Sequence, residues 1–293
     1  MEDSSILGID IGTSYSLAAI WKNGHAEIIP NDIGQSKTPS YVSFKDKEIL
    51  VGESAKNQAK KNPNNTIFNI LSLLGKDFED DDLQKNIKSY PFTILKNKAD
   101  GKAIIQVDYQ NQKKYFYPEQ ILSKIFEKLK QNAIDYIGKE IKKVVLAVPS
   151  YFKKSQRDAM KNAARIAGLD VRRFIIDSGC ASLSYGYDKI IDNKNVLILD
   201  LGGGKLEASI INISDFLFNV LAGNSSINLG GIYFDNKLIE YCLNEFKKKT
   251  SIDLKSNQKA IKRIEYYCEK AKIALSSANE FNIEIETLIK GED

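Results

Sequence analysis

One pattern occurs twice in this chain and constrains its fold more than any other feature. Residues 6–10 and 196–200 are apolar segments that each end in an aspartate, and a glycine-bearing turn follows each of them. Each turn leads into two further apolar segments at hairpin spacing, which predicts two three-stranded antiparallel meanders. Duplicated meanders, separated by other strand and helix patterns, predict an α/β protein with two lobes and a cleft between them.

The two turns favour a site that binds phosphate groups together with a divalent cation. Glycine allows the backbone to approach a ligand closely, and the N–H groups of such turns bind anions. Asp10 and Asp200, at the strand ends, are suited to hold a hydrated Mg²⁺ ion. The plain alternative is a pair of ordinary hairpins whose aspartates cap the turns. Neither turn matches G-x-x-x-x-G-K-[ST] or a G-x-G-x-x-G segment that opens a helix, which argues against a P-loop and a dinucleotide site.

Composition excludes several other classes of function. The 42 Lys and Arg residues and 38 Asp and Glu residues are interspersed and give a net charge of +4, which predicts a solvated surface without a nucleic-acid patch. The single histidine, His25, excludes a histidine-based triad or a multi-histidine metal site. Cys180, Cys242 and Cys268 form no C-x-x-C pair, which argues against structural zinc and a disulfide framework. No run approaches the roughly 20 apolar residues of a membrane helix, and the acidic start is unlike a secretory signal, so we expect a cytoplasmic protein without membrane contact.

Hydrophobic periodicity predicts further strands and helices around the two meanders. The predicted strands are residues 41–44, 49–51, 103–109, 113–117, 144–148, 171–176 and 281–288. The predicted helices are residues 54–61, 65–74, 155–167, 181–187, 234–250 and 260–277, together with a long helix that Pro118 opens. The charged segment 76–84 is predicted to be a solvated loop.

Six short motifs, in order over essentially the whole chain, carry a resemblance to a known family. They are GIDIGTSYS at 8–16, NPNNTIF at 62–68, VPSYF with SQR at 148–157, YGYDK at 185–189, NLGG with FDN at 228–236, and CEKAK with LSS at 268–277. In this order they resemble the ATP-binding domain of the heat-shock protein 70 chaperones. The order argues against the sugar-kinase branch of the same actin-like fold.

The resemblance implies an actin-like ATPase fold that binds ATP or ADP with Mg²⁺, and it assigns roles to particular residues. Those that would wrap the phosphates are Gly12, Thr13, Ser14, Tyr15, Gly202, Gly203, Gly204 and Lys205. The carboxylates that would serve catalysis are Asp10, Asp177 and Asp200, of which Asp10 and Asp200 would hold Mg²⁺ through waters. The residues implied on the ribose and adenine side are Gly230, Gly231, Glu269, Lys272 and Ser276.

Several residues depart from the pattern of the family. Leu71 and Ser72 stand where the family has a catalytic lysine and an arginine, and losing one such charge typically costs roughly 10²–10³ in rate. Asp177 replaces a glutamate, so its carboxylate is one methylene shorter. Ile273 replaces the arginine that covers adenine, and residues 232–233 are Ile-Tyr where Glu-Asp is usual. Weak hydrolysis is therefore expected.

Lys205 is the most unusual of these departures, because the family has a threonine at this position. One interpretation is a solvent-facing lysine at a hairpin tip. The other is an ammonium beside the phosphates, which stands in for the potassium ion that the family binds there, or partly for the charge missing at Leu71. A lysine suits this because its charge is compact and its stem flexible.

The resemblance also predicts how the chain is divided. Lobe I would span residues 1–188 with an inserted subdomain at about 40–115, the core of lobe II 189–228, and a truncated upper subdomain 229–293. We therefore expect an incomplete second lobe and no peptide-binding domain, either because the chain is a fragment or because the natural protein is short. The apolar strands of lobe II would then be exposed or covered by another chain, which predicts self-association, a protein partner or poor solubility.

Three functional hypotheses follow. The first is a divergent ATP-binding domain of a stress-related folding chaperone, which works with co-chaperones and hydrolyses ATP weakly or not at all. The second is a non-enzymatic interaction module derived from such a chaperone, whose lobe surfaces bind a partner. The third is a working ATPase whose missing groups are replaced locally or by another chain.

Overall fold

The computed structural model describes residues 6–187, 193–214, 217–286 and 288, and it contains both predicted meanders. In chain order the strands are β1 (Ile6–Ile11), β2 (Tyr15–Lys22), β3 (His25–Ile28), β4 (Thr38–Pro39), β5 (Val42–Lys45), β6 (Glu48–Val51), β7 (Thr66–Ile67), β8 (Thr93–Lys96), β9 (Ala103–Tyr109), β10 (Gln112–Phe116), β11 (Lys143–Val148), β12 (Asp170–Ile176), β13 (Lys194–Leu201), β14 (Leu206–Ser214) and β15 (Leu217–Ser226). The α-helices are α1 (Glu53–Gln58), α2 (Asp81–Asn86), α3 (Pro118–Ile137), α4 (Lys154–Ile166), α5 (Asp177–Tyr187), α6 (Gly231–Thr250) and α7 (Gln258–Ala274). We call the described residues up to 187 the first half and those from 193 onward the second half.

The main sheet of the first half has the order β12-β11-β1-β2-β3, with β4 also paired to β2. β1 runs antiparallel to β2 and parallel to β11, with Ile9 opposite Leu146. The long α3 precedes β11, and α4 connects β11 to β12, because parallel neighbours need a crossover of this kind. This arrangement sends the ends of β1 and β12, with Asp10 and Asp177, towards the same edge of the sheet.

A large apolar core holds the first half together. The inward side chains of β1 meet one face of α3, where Ile121, Ile125 and Leu129 are almost fully buried. The two small sheets β6-β5-β7 and β10-β9-β8 extend the same core, in which Phe44 stacks on Phe116. Burial of this extent is the main favourable term in the stability of such a fold.

In the second half, more of the apolar side chains of the sheet are exposed to solvent. Its sheet, β13-β14-β15, is an antiparallel meander in contact with α5. Leu197, Leu199 and Leu201 of β13 are nevertheless exposed, as is Ile210 of β14. Because alternate residues of a strand share a face, these leucines form one apolar surface, which we call the leucine face. Helices α6 and α7 pack against each other around a small separate core.

Three predictions about local structure are wrong. Residues 65–74 do not form a helix, because Ile67 pairs with Val42 and Asn69 takes a left-handed φ of 51°. Within the predicted loop 76–84, Asp80 caps the helix α2 by accepting hydrogen bonds from two backbone N–H groups. Residues 281–286 contain no strand, and residue 287 lies outside the described residues.

The other predicted strands and helices are confirmed with shifted ends, and the strands β4 and β8 were missed. The predicted boundary between residues 188 and 189 lies outside the described residues, so the division into lobes remains a prediction. Within the described ranges, none of the helices is long and apolar enough to cross a membrane.

Candidate functional site

The two glycine turns of the repeated pattern meet face to face. Each is closed by the same type of hydrogen bond, from Gly12 N–H to the Tyr15 carbonyl at 3.0 Å and from Gly202 N–H to the Lys205 carbonyl at 2.9 Å. A Cβ added to Gly203 would lie 2.2 Å from Ser14 Oγ and 3.1 Å from Ser14 Cβ, so the two turns are in direct contact and the Ser14 side chain would have to shift to admit it. Glycine at this position favours the close approach of the turns.

A cleft of about 710 Å³ opens beside the paired turns. It brings together most of the predicted site residues from both halves of the chain. These are Asp10, Gly12, Thr13, Ser14, Tyr15, Asp177, Asp200, Gly202, Gly203 and Lys205. Gly204 faces an adjoining cleft, which it lines together with Thr13.

Lys205 lies inside this cleft, among acidic side chains. Its ammonium donates a hydrogen bond to Asp177 and another, 3.1 Å long, to Glu207, and it is 3.3 Å from the carboxylate of Asp200. The Lys205 side chain is 13% exposed, so its interpretation as a solvent-facing residue is wrong. Its charge is held by three carboxylates and is not free at the surface.

Glu207 was missing from the predicted site, although the sequence contains the signal for it. It follows Lys205 by two residues on β14, and side chains two apart on a strand share a face. The Glu207 side chain is almost fully buried, and it also accepts a 3.4 Å hydrogen bond from Ser150 N–H. Four carboxylates, those of Asp10, Asp177, Asp200 and Glu207, therefore form what we call the acidic group of the cleft.

The crowding of these carboxylates changes their proton affinities. Desolvation in the cleft, and then the negative charge of Asp177, raise the pKa of Asp10 to about 6. Burial likewise raises the pKa of Asp177, although Lys205 opposes it. Burial alone would lower the pKa of Lys205, but Asp177 and Glu207 outweigh it and the pKa is raised. Lys205 therefore stays charged at neutral pH.

The acidic group fits a hydrated divalent cation. Asp177 Oδ1 and Glu207 Oε1 are buried and accept no hydrogen bond within the described residues. Carboxylate oxygens are the donors that Mg²⁺ prefers, and Mg²⁺ keeps several of its waters. Across the described ranges, no three His, Cys, Asp or Glu side chains are arranged to bind a metal directly, which is compatible with a cation held through waters.

The position of the family's lysine is apolar in this chain. Leu71 is buried in a short 3₁₀ turn, Ile70–Ser72, and lines the same cleft as Asp10, Asp177 and Asp200. Ser72 does not replace the missing charge, because its hydroxyl is neutral; that hydroxyl is hydrogen-bonded to Tyr90 at 2.6 Å. In the part of the chain that the structure describes, the cations that line this cleft are Lys37 and Lys205.

Glu269 connects the two halves at the rim of the cleft. Its carboxylate accepts a hydrogen bond from Lys56 at 2.9 Å, and Tyr15 donates to it at 3.5 Å. Lys56 in turn donates to the Tyr15 hydroxyl at 3.0 Å. Lys56 was not predicted, and nothing in the sequence around α1 distinguishes it from the other lysines.

The remaining predicted residues divide into two groups. Gly230 and Gly231 lie against the second glycine turn, where Gly231 N–H donates to the Gly202 carbonyl at 3.0 Å. Lys272 joins them by hydrogen bonds to the Gly231 carbonyl at 3.1 Å and to Asp235 at 2.6 Å. Ser276 lies apart from Asp10, in an open outer cleft that it shares with Lys272.

Comparison with known proteins covers almost the whole chain. The sequence profile of the family described as Hsp70 protein matches residues 6–293. Heat shock cognate 70 kDa protein 3 of Dictyostelium discoideum is 43% identical over 290 residues, which are 98% of this chain and 46% of that protein. Heat shock 70 kDa protein 2 of Paracoccidioides lutzii and Heat shock 70 kDa protein of Trichophyton rubrum are 43% and 42% identical over 288 residues, 98% of this chain and 44% of each relative. The chain spans about half the length of these curated relatives.

Proposed function

This chain belongs to the heat-shock protein 70 family, and from that premise we propose that its central cleft binds ATP and ADP with Mg²⁺. The fold of the family is actin-like, and the mixed α/β sheets of this chain are consistent with it. The observation that carries the proposal is the meeting of two glycine turns in the same cleft as Asp10, Asp177 and Asp200. Glycine turns that can offer backbone N–H groups, beside a group of carboxylates that can hold a cation, suit a Mg-nucleotide.

The two turns would bind the phosphates. Thr13, Ser14 and Tyr15 would offer backbone and hydroxyl donors from the first half, and the turn 202–204 would offer donors from the second. Asp10 and Asp200 would hold Mg²⁺ through waters, because they are the strand-end carboxylates of the two halves. When bound, Mg²⁺ supplies positive charge that balances the phosphates against this acidic group.

The nucleoside would lie towards α6 and α7. Gly230 and Gly231 pack against the second turn, where a Cβ on Gly230 would lie only 2.7 Å from the Gly203 carbonyl oxygen, and Lys272 is fixed there by Asp235. Glu269, together with Ser276 in the outer cleft, would contact the ribose and adenine. Because Glu269 already binds Lys56 of the first half, a nucleoside contact there would be sensitive to how closely the two halves approach.

We propose that hydrolysis is weak. The wall of the cleft at Leu71 is aliphatic, so it offers no ammonium to the developing charge of the γ-phosphate. Lys205 does not restore that charge, because Asp177, Asp200 and Glu207 together more than balance it. Its proposed role is that of a resident cation, which replaces a free monovalent ion among these carboxylates.

A second function, protein binding, is favoured by one observation. The leucine face of β13 is exposed over several adjacent residues, and a contiguous apolar surface of this kind commonly marks an interface. Its occupant would be a co-chaperone or another protein that covers lobe II. The names of the relatives refer to heat shock and support a role in the stress response, and we propose a role in protein folding and a cytoplasmic location.

Calorimetric titration with Mg-ADP and Mg-ATP tests the proposal. We expect one site of micromolar or tighter affinity in the chain and a much weaker site in Asp200→Asn. The matched control is Asp158→Asn, which changes an exposed aspartate on α4 and leaves the cleft intact. Lack of binding by the folded chain contradicts the nucleotide proposal and leaves protein binding as the alternative. Single-turnover hydrolysis by the bound chain then separates a weak ATPase from a working one.

A further inference from the structure

Two cysteines that are far apart in the sequence lie next to each other in the fold. Cys242 is on α6 and Cys268 on α7, and the packing of these helices brings their Sγ atoms to 3.9 Å. Cys268 is fully buried in the core between the helices, whereas Cys242 is only partly buried. The pair therefore has one sulfur that small solutes can reach and one that is protected from them.

The two thiols are unequal in reactivity. The contact with Cys268 lowers the pKa of Cys242, because it stabilises the thiolate more than burial destabilises it. The same contact raises the pKa of Cys268. A thiolate is the reactive form of cysteine, so Cys242 would react first and Cys268 second. Cys180 provides an internal contrast, because burial and then Asp177 raise its pKa to about 11.

We propose that Cys242 and Cys268 are a site of reversible oxidation, which forms an intramolecular disulfide in the presence of a hydroperoxide. The Cys242 thiolate attacks the peroxide, an S–O bond forms, and the O–O bond breaks with loss of water or an alcohol. Cys268 then attacks the sulfenic acid, so that the S–S bond forms and the S–O bond breaks with loss of a second water. The two thiols lose two electrons, the peroxide gains them, and a small thiol reverses the reaction.

Disulfide formation would change the geometry around the rim of the cleft. An S–S bond is about 2.05 Å long, so the sulfurs must approach each other by roughly 2 Å. The residue after Cys268 is Glu269, which binds Lys56 of the first half, and Lys272 on the same helix is fixed to Asp235. A small shift of α7 against α6 therefore acts directly on these contacts. An effect of the disulfide on nucleotide affinity rests on the function proposed above, whereas formation of the disulfide does not.

Peptide mapping after oxidation tests the site. The whole chain is reduced, treated with hydrogen peroxide and digested without reductant. We expect a linked peptide pair that contains Cys242 and Cys268, in the chain itself and in Cys180→Ser, and its disappearance after dithiothreitol. Cys242→Ser and Cys268→Ser should give no linked pair. Linkage through Cys180, links between molecules only, or irreversible oxidation of Cys242 without linkage would each overturn the proposal.

The consequence for the cleft has its own measurement. We expect the affinity for Mg-ADP to change by about fivefold or more between the reduced and oxidised chain, the lower end of usual coupling between sites. Cys242→Ser, treated in the same way, should not change. Unaltered affinity of a fully linked chain would overturn the coupling. Failure of the reduced chain to bind nucleotide would count against the proposed function and leave the peptide map as the test of the disulfide.

Discussion

The two copies of the repeated pattern share a local plan and have opposite surroundings. Leu7 and Ile9 of β1 are 0% and 3% exposed, whereas their counterparts in β13, Leu197 and Leu199, are 67% and 65% exposed. β1 lies between two neighbouring strands in a sheet that α3 helps to cover, while β13 is an edge strand of the described sheet. The comparison shows that a short apolar run, followed by an aspartate and a glycine turn, specifies the strand and its turn. Burial depends on segments contributed from elsewhere in the chain.

The largest expected effect tests this contrast in stability. Leu7→Ala should lower the free energy of unfolding by about 2–5 kcal/mol, because it leaves a cavity in a closed core. Leu197→Ala, at the equivalent position of the second copy, should change it by less than about 0.5 kcal/mol. Urea unfolding of both variants measures the difference.

The concentration dependence of these unfolding curves sharpens the comparison. If the leucine face is covered by a second copy in solution, Leu197→Ala should become more costly as protein concentration rises, and light scattering should show association. If Leu7→Ala and Leu197→Ala lower the free energy of unfolding equally in a chain that stays monomeric, the proposed difference in burial between the two halves is contradicted.

The next effect compares the aliphatic wall of the cleft at Leu71 with the acidic group, which contains Lys205. Leu71→Lys should raise single-turnover ATP hydrolysis at least about tenfold, because it returns an ammonium to the wall that lacks one. The control is Leu73→Lys, two residues away in the core, which should damage the fold without activating it. An unchanged rate in Leu71→Lys with nucleotide still bound would show that this position does not limit the chemistry.

A smaller effect compares the two glycine turns, of which only the second contains a lysine. Lys205→Thr should weaken Mg-ATP binding by roughly 1–2 kcal/mol, the scale of a charge-assisted contact, because three carboxylates lose their cation. Affinity of the unaltered chain should not depend on exchange of potassium for sodium, whereas that of the variant should. Calorimetry in the two salts measures both, and equal affinities of the chain and the variant would remove Lys205 from the site.

The smallest effect concerns pH. The pKa of Asp10 is raised from its ordinary 3.8 to about 6, so the folded state holds this proton more tightly than the unfolded state. Its contribution therefore favours folding below about pH 4 and is lost as the pH rises through about 6. Asp10→Asn should therefore raise the unfolding free energy of the ligand-free chain more at pH 8 than at pH 5. The difference between the two pH values should be at most about 1 kcal/mol, because Asp10 is partly solvated and screened. A pH dependence identical to that of Asp158→Asn would contradict this assignment.

The sequence was sufficient to predict the parts of the site that follow from local patterns. Both glycine turns form at the ends of their strands as predicted, because turn geometry is set by neighbours in the sequence. The duplicated plan also predicted a cleft between the two copies, and the structure brings both turns to one cleft. Glu207 could have been added from the two-residue period of β14.

Other parts depend on contacts that no local pattern encodes. Residues 65–74 have an apolar spacing compatible with a helix, yet pairing of Ile67 with Val42 overrides it. Lys56 reaches Glu269 only because α1 and α7 meet at the rim of the cleft. Lys205 belongs to the second turn, but its hydrogen bond to Asp177 joins it to the first half, and no local pattern encodes that contact.

Hydrogen exchange of the two turns tests most directly whether both copies of the pattern serve one ligand. Peptides that cover residues 12–15 and 202–205 are followed with and without saturating Mg-ADP. We predict that bound nucleotide slows exchange in both turns together, because their N–H groups would face the same phosphates. Protection of one turn only, or of neither while nucleotide is bound, would contradict a shared site.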